Sequence, residues 1–338
     1  MITHLPRIAR RTLFRAAVLL VMGACAPALS AKSMELRYGH MNSPNSVAGM
    51  QAQMFADKVA KYTNGEVTIK VYPSSQLGKM QEMAEATSTG VIAISHNTAG
   101  GTGSLYEPFG AFDTPYLYRD VDHLMKVTAS DSPLMQEMNE GLIDAAGVRV
   151  LYTYYFGTRH LTTNKAVRTP ADLSGQKIRA LPFPIYMTGV EALGAVPVPV
   201  DWSEVPTALA TGQVSGQENP VNVVLSNKLY ESQSHLMLTG HIMNAQVIVM
   251  NQGVWKKLTD AQRQAFEKAA LEVRAEATDM VQQQEAEELA KLKELKMTVI
   301  GPDEGLELDA FKAAANKLVN ERFAGKYGQI YTQIGEIK

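Results

Sequence analysis

The sequence predicts an α/β protein built from two successive units, and three observations predict it. Strand-type and helix-type patterns alternate through the first half of the chain, the alternation restarts near Ile178, and a long charged stretch without Pro or Gly runs on from Ala261. Alternation of this kind argues for parallel strands covered by helices.

The elements follow in order. Leu36-Arg37-Tyr38-Gly39 reads as a strand. Val47–Tyr62 has helical spacing, with Met50, Met54, Phe55, Val59 and Tyr62 on one side. Asn64-Gly65 makes a turn into the alternating run Val67–Tyr72, which Pro73 ends. A helix is expected over Lys79–Thr89, stopped by Gly90, and a short apolar strand over Val91–Ser95. Two short helices (Asp122–Lys126 and Pro133–Ala146) precede a strand at Val148–Phe156. The second unit opens with a strand at Ile178–Leu181, a helix at Ile185–Leu193 and a strand at Val196–Val200. Ser203 is placed to cap a helix reaching Ala210, with Pro206 tolerated in its first turn. Val247–Asn251 is a strand that would return to the first unit. Thr259 and Gln262 form a capping box ahead of the long helix expected over Ala261–Lys296, roughly 50 Å at about 1.5 Å per residue. That length suits a helix bridging two domains. Its apolar positions keep no strict heptad.

The N-terminus reads as an export signal over residues 1–31. Arg7, Arg10, Arg11 and Arg15 make a basic start, no acidic residue precedes Glu35, and an uncharged run follows from Ala16 to Ala31. The run is shorter than the roughly 20 apolar residues of a spanning helix. Cleavage is expected after Leu29-Ser30-Ala31, with Ala24-Cys25-Ala26 as the second candidate. Arg10-Arg11 resembles a twin-arginine signal, and Cys25 lies in a poor match to a lipidation site. The single cysteine otherwise leaves with the signal, which removes disulfide chemistry. Without the four signal arginines, 28 basic side chains face 34 acidic ones, a net charge near −6. That balance argues against a nucleic-acid partner. The mature chain is expected outside the cytoplasm.

Catalytic signatures are missing: no Walker loop, no G-x-G-x-x-G after a strand, no nucleophile elbow. Gly100-Gly101-Thr102-Gly103 lacks the Walker lysine and reads as a flexible loop. His96, His160, His235 and His241 have none of the short spacings of zinc sites, and no metal or cofactor is indicated. Cations, in contrast, are scarce in the second unit. Arg159 follows the Val148–Phe156 strand, and after Arg179 no Lys or Arg occurs until Lys228. An arginine inside the apolar strand Ile178–Leu181 has two readings. One is an edge position or structural salt bridge; the other is a rigid guanidinium in a cleft, meeting a carboxylate through two parallel hydrogen bonds. Phe183, Tyr186 and Trp202 could wall such a cleft.

Ile178-Arg179-Ala180, Asp201–Leu209 and Gly212–Pro220 occur in close succession, with Pro73–Gly78 and Gly157-Thr158-Arg159 ahead of them. Together they resemble the substrate-binding proteins of tripartite ATP-independent periplasmic (TRAP) transporters, over essentially the whole mature chain. Ser215 and Pro206 depart from the family pattern, at positions not expected to touch ligand. The resemblance implies a two-domain, periplasmic-binding-protein-like clamp that closes about a hinge, with a long C-terminal helix spanning both domains. Domain I would hold 32–155 and 244–283, domain II 156–243 and 284–338. It implies that Arg179 pairs with the ligand carboxylate, and that Arg159, Trp202 and Asn219 face the ligand. The loops at Gly39–Asn42, including Met41, and at His96, Asn97 and Thr98 would complete the site, with His241 a further candidate. Family members that bind acidic sugars often carry an acid where Thr98 falls, which speaks against that ligand type. Glu218 is expected to orient an arginine. The implied function is a receptor, not an enzyme, that delivers a small organic acid to integral membrane TRAP subunits. Its first candidate ligand is a monocarboxylate with a nearby keto or hydroxyl oxygen, and its second a dicarboxylate using both Arg159 and Arg179. A receptor feeding a signalling partner and a secreted hydrolase are the competing classes.

Overall fold

The computed structural model describes residues 33–338; the export signal expected over 1–31 lies outside the described residues. The first unit opens with β1 (Met34–Gly39), α1 (Val47–Tyr62), β2 (Val67–Tyr72) and α2 (Met80–Ser88). It continues through β3 (Ile94–Thr98), α3 (Ala99–Thr102), α4 (Val121–Val127) and α5 (Pro133–Ala146). Local chemistry sets several of these bounds. Ser46 Oγ caps α1 by accepting from the Gly49 amide at 3.2 Å, and α5 ends at Gly147 in the left-handed conformation, φ 63°.

After β4 (Val148–Thr163) the second unit runs β5 (Lys177–Ala180), α6 (Pro184–Ala192), β6 (Val196–Pro199), α7 (Val205–Ala210), β7 (Gly216–Pro220) and α8 (Val221–Ser226). β8 (His235–Asn251) leads back, and α9 (Gln252–Lys257), α10 (Asp260–Glu294), β9 (Thr298–Ile300) and α11 (Leu308–Glu336) finish the chain.

One sheet joins everything, in the order β2-β1-β3-β8-β4-β7-β5-β6, with β9 added beside β8. The flanks are parallel, β1 with β2 and β3 on one side, β5 with β6 and β7 on the other. Between them β4 and β8 form a long antiparallel ribbon that carries both units. The ribbon is bulged between Tyr155 and Gly157, opposite Asn244 and Ala245. α10 crosses the same boundary. Its Phe266, Val273 and Val281 pack into the first core, while Leu292 joins Val205, Val221 and Leu236 in the second. The α/β, two-unit architecture with a spanning helix is therefore as expected.

Four local expectations need correction. The strand placed at Val91–Ser95 is β3, three residues later; Val91 is exposed, whereas Ser95, His96, Asn97 and Thr98 are buried. Ser203 does not cap α7: Trp202–Glu204 form a 3₁₀ turn and Glu204 takes the cap position, with Pro206 in the first turn as expected. Gly100–Gly103 is no flexible loop. Residues 99–102 form a buried turn of helix capped by Thr98 Oγ1, which accepts from the Gly101 amide at 2.9 Å. Glycine is required there for packing, since a Cβ on Gly101 would sit 2.0 Å from Asn97 Oδ1. Finally, the strands at 148–156 and 247–251 are only halves of β4 and β8, and β7 and α11 are additional. β7 reads Gly-Gln-Glu-Asn-Pro, with three polar side chains in a row, yet is buried throughout.

Candidate ligand-binding site

The polar residues that hide these strands from a pattern reading converge on one cavity. It lies between the two flanks of the sheet, over the central ribbon, and measures about 640 Å³ including the space at its mouth. This is a small-molecule volume. Met41, Thr98 and Gln246 reach it from the first unit, Phe156 and Arg159 from the ribbon, and Arg179, Phe183, Trp202 and Asn219 from the second unit.

Arg179 stands on β5 between the buried Ile178 and Ala180 and is itself 2 % exposed. Its Nε donates to the Val200 carbonyl at 2.8 Å, which fixes the plane of the guanidinium. That is its only hydrogen bond among the described residues, so both terminal nitrogens are left for the cavity. The Trp202 ring lies 5.8 Å from its Cζ. Burial disfavours the charge and pulls the pKa down to about 10; Glu218 acts in the opposite sense.

Arg159 is the contrasting case. From β4 it grips Glu218, with Nη2 donating to Oε1 at 2.8 Å and to the Glu218 carbonyl at 2.7 Å, and Nε donating to Oε2. Burial opposes its charge, but the Glu218 carboxylate outweighs that and holds its pKa above the ordinary range. The reverse holds for Glu218, where burial is overcome by Arg159 and His241 and the pKa falls to about 2. Glu218 therefore orients an arginine, and the charge of Arg159 is matched inside the protein.

The other expected residues divide into two groups. Met41, Thr98, Phe183, Trp202 and Asn219 line the cavity with the two arginines. Asn219 donates from Nδ2 to Gln217 Oε1 and retains further amide valences for a ligand. Tyr186, His241, His96 and Asn97 do not reach the cavity surface. Tyr186 lies beneath Arg159, its ring 5.1 Å from Cζ, and its hydroxyl donates to Asp113 at 2.9 Å. His241 holds Glu218 Oε2 at 3.2 Å and Thr239 Oγ1 at 2.8 Å. His96 is buried in β3 with both ring nitrogens unpartnered among the described residues, and burial drives its pKa down to about 3. Asn97 turns Oδ1 onto the Thr98 amide at 3.0 Å.

Among the lining residues that escaped the sequence reading, three bear on the site's chemistry and shape. Gln246 and Phe156 sit on the ribbon, and Lys79 stands at the mouth, where Nζ spans the opening to Asp201 at 2.6 Å and Glu204 at 3.0 Å. A signal for Gln246 was present. Asn244 and Gln246 stand two apart in the otherwise apolar run Ile242–Met250, so both face the same side.

A deep cleft between two α/β units, carrying one rigid, unpaired guanidinium and apolar walls, defines a solute-binding protein. The model of the bacterial extracellular solute-binding protein family 7 matches residues 38–326, and the chain belongs to that family. It is 32 % identical over 311 residues to the sialic acid-binding periplasmic protein of Vibrio cholerae, covering 92 % of this chain and 94 % of that one. It is 31 % identical over 300 residues to the C4-dicarboxylate-binding periplasmic protein of Rhodobacter capsulatus, covering 88 % and 87 %. A TRAP periplasmic solute-binding protein of a Polaromonas species, solved bound to D-erythronate, superimposes with a TM-score of 0.84 at 30 % identity, over 90 % of this chain and 99 % of that one. The chain is thus a solute-binding protein of the TRAP class.

Proposed function

We propose that the protein is a periplasmic receptor that captures a small organic acid by its carboxylate and passes it to the membrane subunits of a TRAP transporter. Arg179 carries the reading: a buried guanidinium with one nitrogen tied to the backbone and two turned to a cavity is costly unless an anion completes it. A carboxylate fits that fork in two parallel hydrogen bonds. Trp202 and Phe183 supply apolar wall, while Asn219, Thr98 and Gln246 offer donors and acceptors for oxygens along the ligand. The solutes named for the relatives share a carboxylate, which agrees with this.

The charge inventory favours one carboxylate over two. Arg159 is matched by Glu218, and Lys79 by Asp201 and Glu204, so Arg179 is the cavity cation without an ion pair among the described residues. A monocarboxylate with keto or hydroxyl oxygens is the ligand class that results. Residues 1–31 would be removed on export. The domains are taken as 32–155 with 244–283 and 156–243 with 284–338. In support, the ribbon bulges at Tyr155–Gly157, and Glu285 of α10 accepts from the Thr158 amide at 3.3 Å beside it.

The test is a thermal-shift screen of hydroxy, keto and dicarboxylic acids, followed by calorimetry on the hits. A ligand present at about 100 Kd adds about 2.7 kcal/mol of stability. Stabilisation by hydroxy or keto monocarboxylates, abolished in Arg179→Ala, is the expected result. A screen in which no carboxylate stabilises the protein would overturn the reading.

A further inference from the structure

A second cavity lies on the outer side of the first unit, under α5 and α10, and measures about 1030 Å³ with the space open at its mouth. Two arginines line it. Arg149, on β4, lays its guanidinium on the Trp255 ring, Cζ 3.9 Å from the centroid, and reaches Gln252 Oε1 only at 3.5 Å through Nη1. Arg274, on α10, donates to the Met125 carbonyl through Nη2. The Nε of each is buried without a hydrogen-bond partner among the described residues. The acidic residue on the wall, Glu267, is exposed and forms no ion pair with either. The remaining wall is apolar where Met135, Phe266 and Leu271 meet.

Neither part-buried guanidinium has an ion-pair partner among the described residues, as Arg179 has none and unlike Arg159, which Glu218 matches directly. Burial lowers the pKa of both, against the pull of Glu267 on Arg149 and of Asp131 on Arg274. The resemblance that led to Arg179 says nothing of this face, and the clamp does not use it.

We infer that this cavity is a second binding site, for an organic anion with a compact apolar body, held by Arg149 and Arg274 with Trp255 as the platform of Arg149. The carboxylate would take terminal N–H groups of the two guanidiniums, and the body would cover the exposed Leu271. The site is independent of the clamp, so it stands or falls separately from the function proposed above.

The chain has two tryptophans, Trp202 at the clamp and Trp255 here, which gives a direct readout. In Trp202→Phe protein, emission comes from Trp255 alone. Titration with cyclohexanecarboxylate is expected to change that emission saturably, whereas cyclohexanol and sodium chloride of equal ionic strength are not. The response should persist when Arg179→Ala is added and weaken at least tenfold with Arg274→Gln. Arg274→Gln is the decisive variant, because it leaves the Arg149–Trp255 stack in place; Arg149→Lys, which keeps the charge but loses the fork, should weaken the response as well. No saturable change, or an equal one in Arg274→Gln protein, would overturn the inference.

Discussion

Two arginines line the clamp cavity, and their difference is the main lesson at the scale of single residues. Arg159 has its counter-ion inside the protein and Arg179 does not, so the two are expected to fail differently. Arg179→Ala should leave the melting point near that of the unliganded parent while calorimetry detects no ligand binding. Arg179→Lys should also bind poorly, because an ammonium cannot reproduce the bidentate fork; near-parental affinity in either variant would refute the carboxylate assignment. Glu218→Gln acts on stability instead. It strips the partner from a buried guanidinium, a change that typically costs about 3–5 kcal/mol, measurable by urea unfolding without ligand. Arg179, Trp202 and Asn219 could be singled out from sequence because each stands out locally: a cation in an apolar strand, an aromatic and an amide inside recognisable motifs. Lys79 could not, and for Gln246 the alternation with Asn244 gave the side of the strand but not the cavity it faces. Gln246 reaches the cavity only because β8 pairs with β3 and β4, and Lys79 meets Asp201 across 122 positions of sequence.

At the scale of elements, legibility followed the agreement between local pattern and final environment. α1 and β2 have the bounds their sequences announce, because α1 has a capped start and one apolar face, and β2 alternates cleanly. α10 begins at the expected box, with Thr259 Oγ1 accepting from the Gln262 amide at 3.2 Å and Gln262 Oε1 accepting from the Thr259 amide at 3.0 Å. Thr259→Ala should therefore cost about 1 kcal/mol, read as a shift in the denaturant midpoint. β7 and the far halves of β4 and β8 were obscured by polar side chains that the cavity and its supporting network require. α11 was overlooked although Phe311, Ala315, Val319, Phe323 and Tyr327 recur every four residues and are all buried; that spacing is a legible helical stripe. The turn before α7 supplies Asp201 and Glu204 to Lys79 at the cavity mouth. Lys79→Met is expected to raise the ligand dissociation rate several-fold with little change in association, and to reduce its dependence on salt. Identical dissociation kinetics at low and high salt in both proteins would rule out this strap.

At the scale of the whole molecule, buried histidines tie stability to pH. His40 and His96 lie in the interior and His160 is part-buried, and desolvation lowers their pKa values to about 4, about 3 and about 3. The unfolded chain holds these groups near 6.5. A depressed folded pKa means that, as pH falls below 6.5, the unfolded state takes up protons that the native state refuses. Stability contributed by the neutral rings is therefore complete above pH 6.5 and lost progressively down to about 3–4. Each histidine contributes a slope of about 1.4 kcal/mol per pH unit in that window. Asp113 and Glu288 act in the opposite sense. Burial raises their pKa values to about 6 and about 7, so the native state keeps protons that the unfolded state has released. Glu285, also raised by burial, adds to this opposition, and the two sets of groups largely offset each other between pH 5 and 7. Below about pH 4.5 the unfolded chain protonates its carboxyls too, the opposition fades, and Glu218, held at about 2, adds to the loss. His96 is the probe, because its ring nitrogens have no hydrogen-bond partner among the described residues and the ring packs 6.1 Å from Phe156. His96→Phe should flatten the melting-point profile between pH 4 and 6.5 and change it least above pH 7, where the parental ring is neutral in both states. A parallel displacement of the whole profile would show that the ring acts through packing alone, and that the acid sensitivity arises elsewhere.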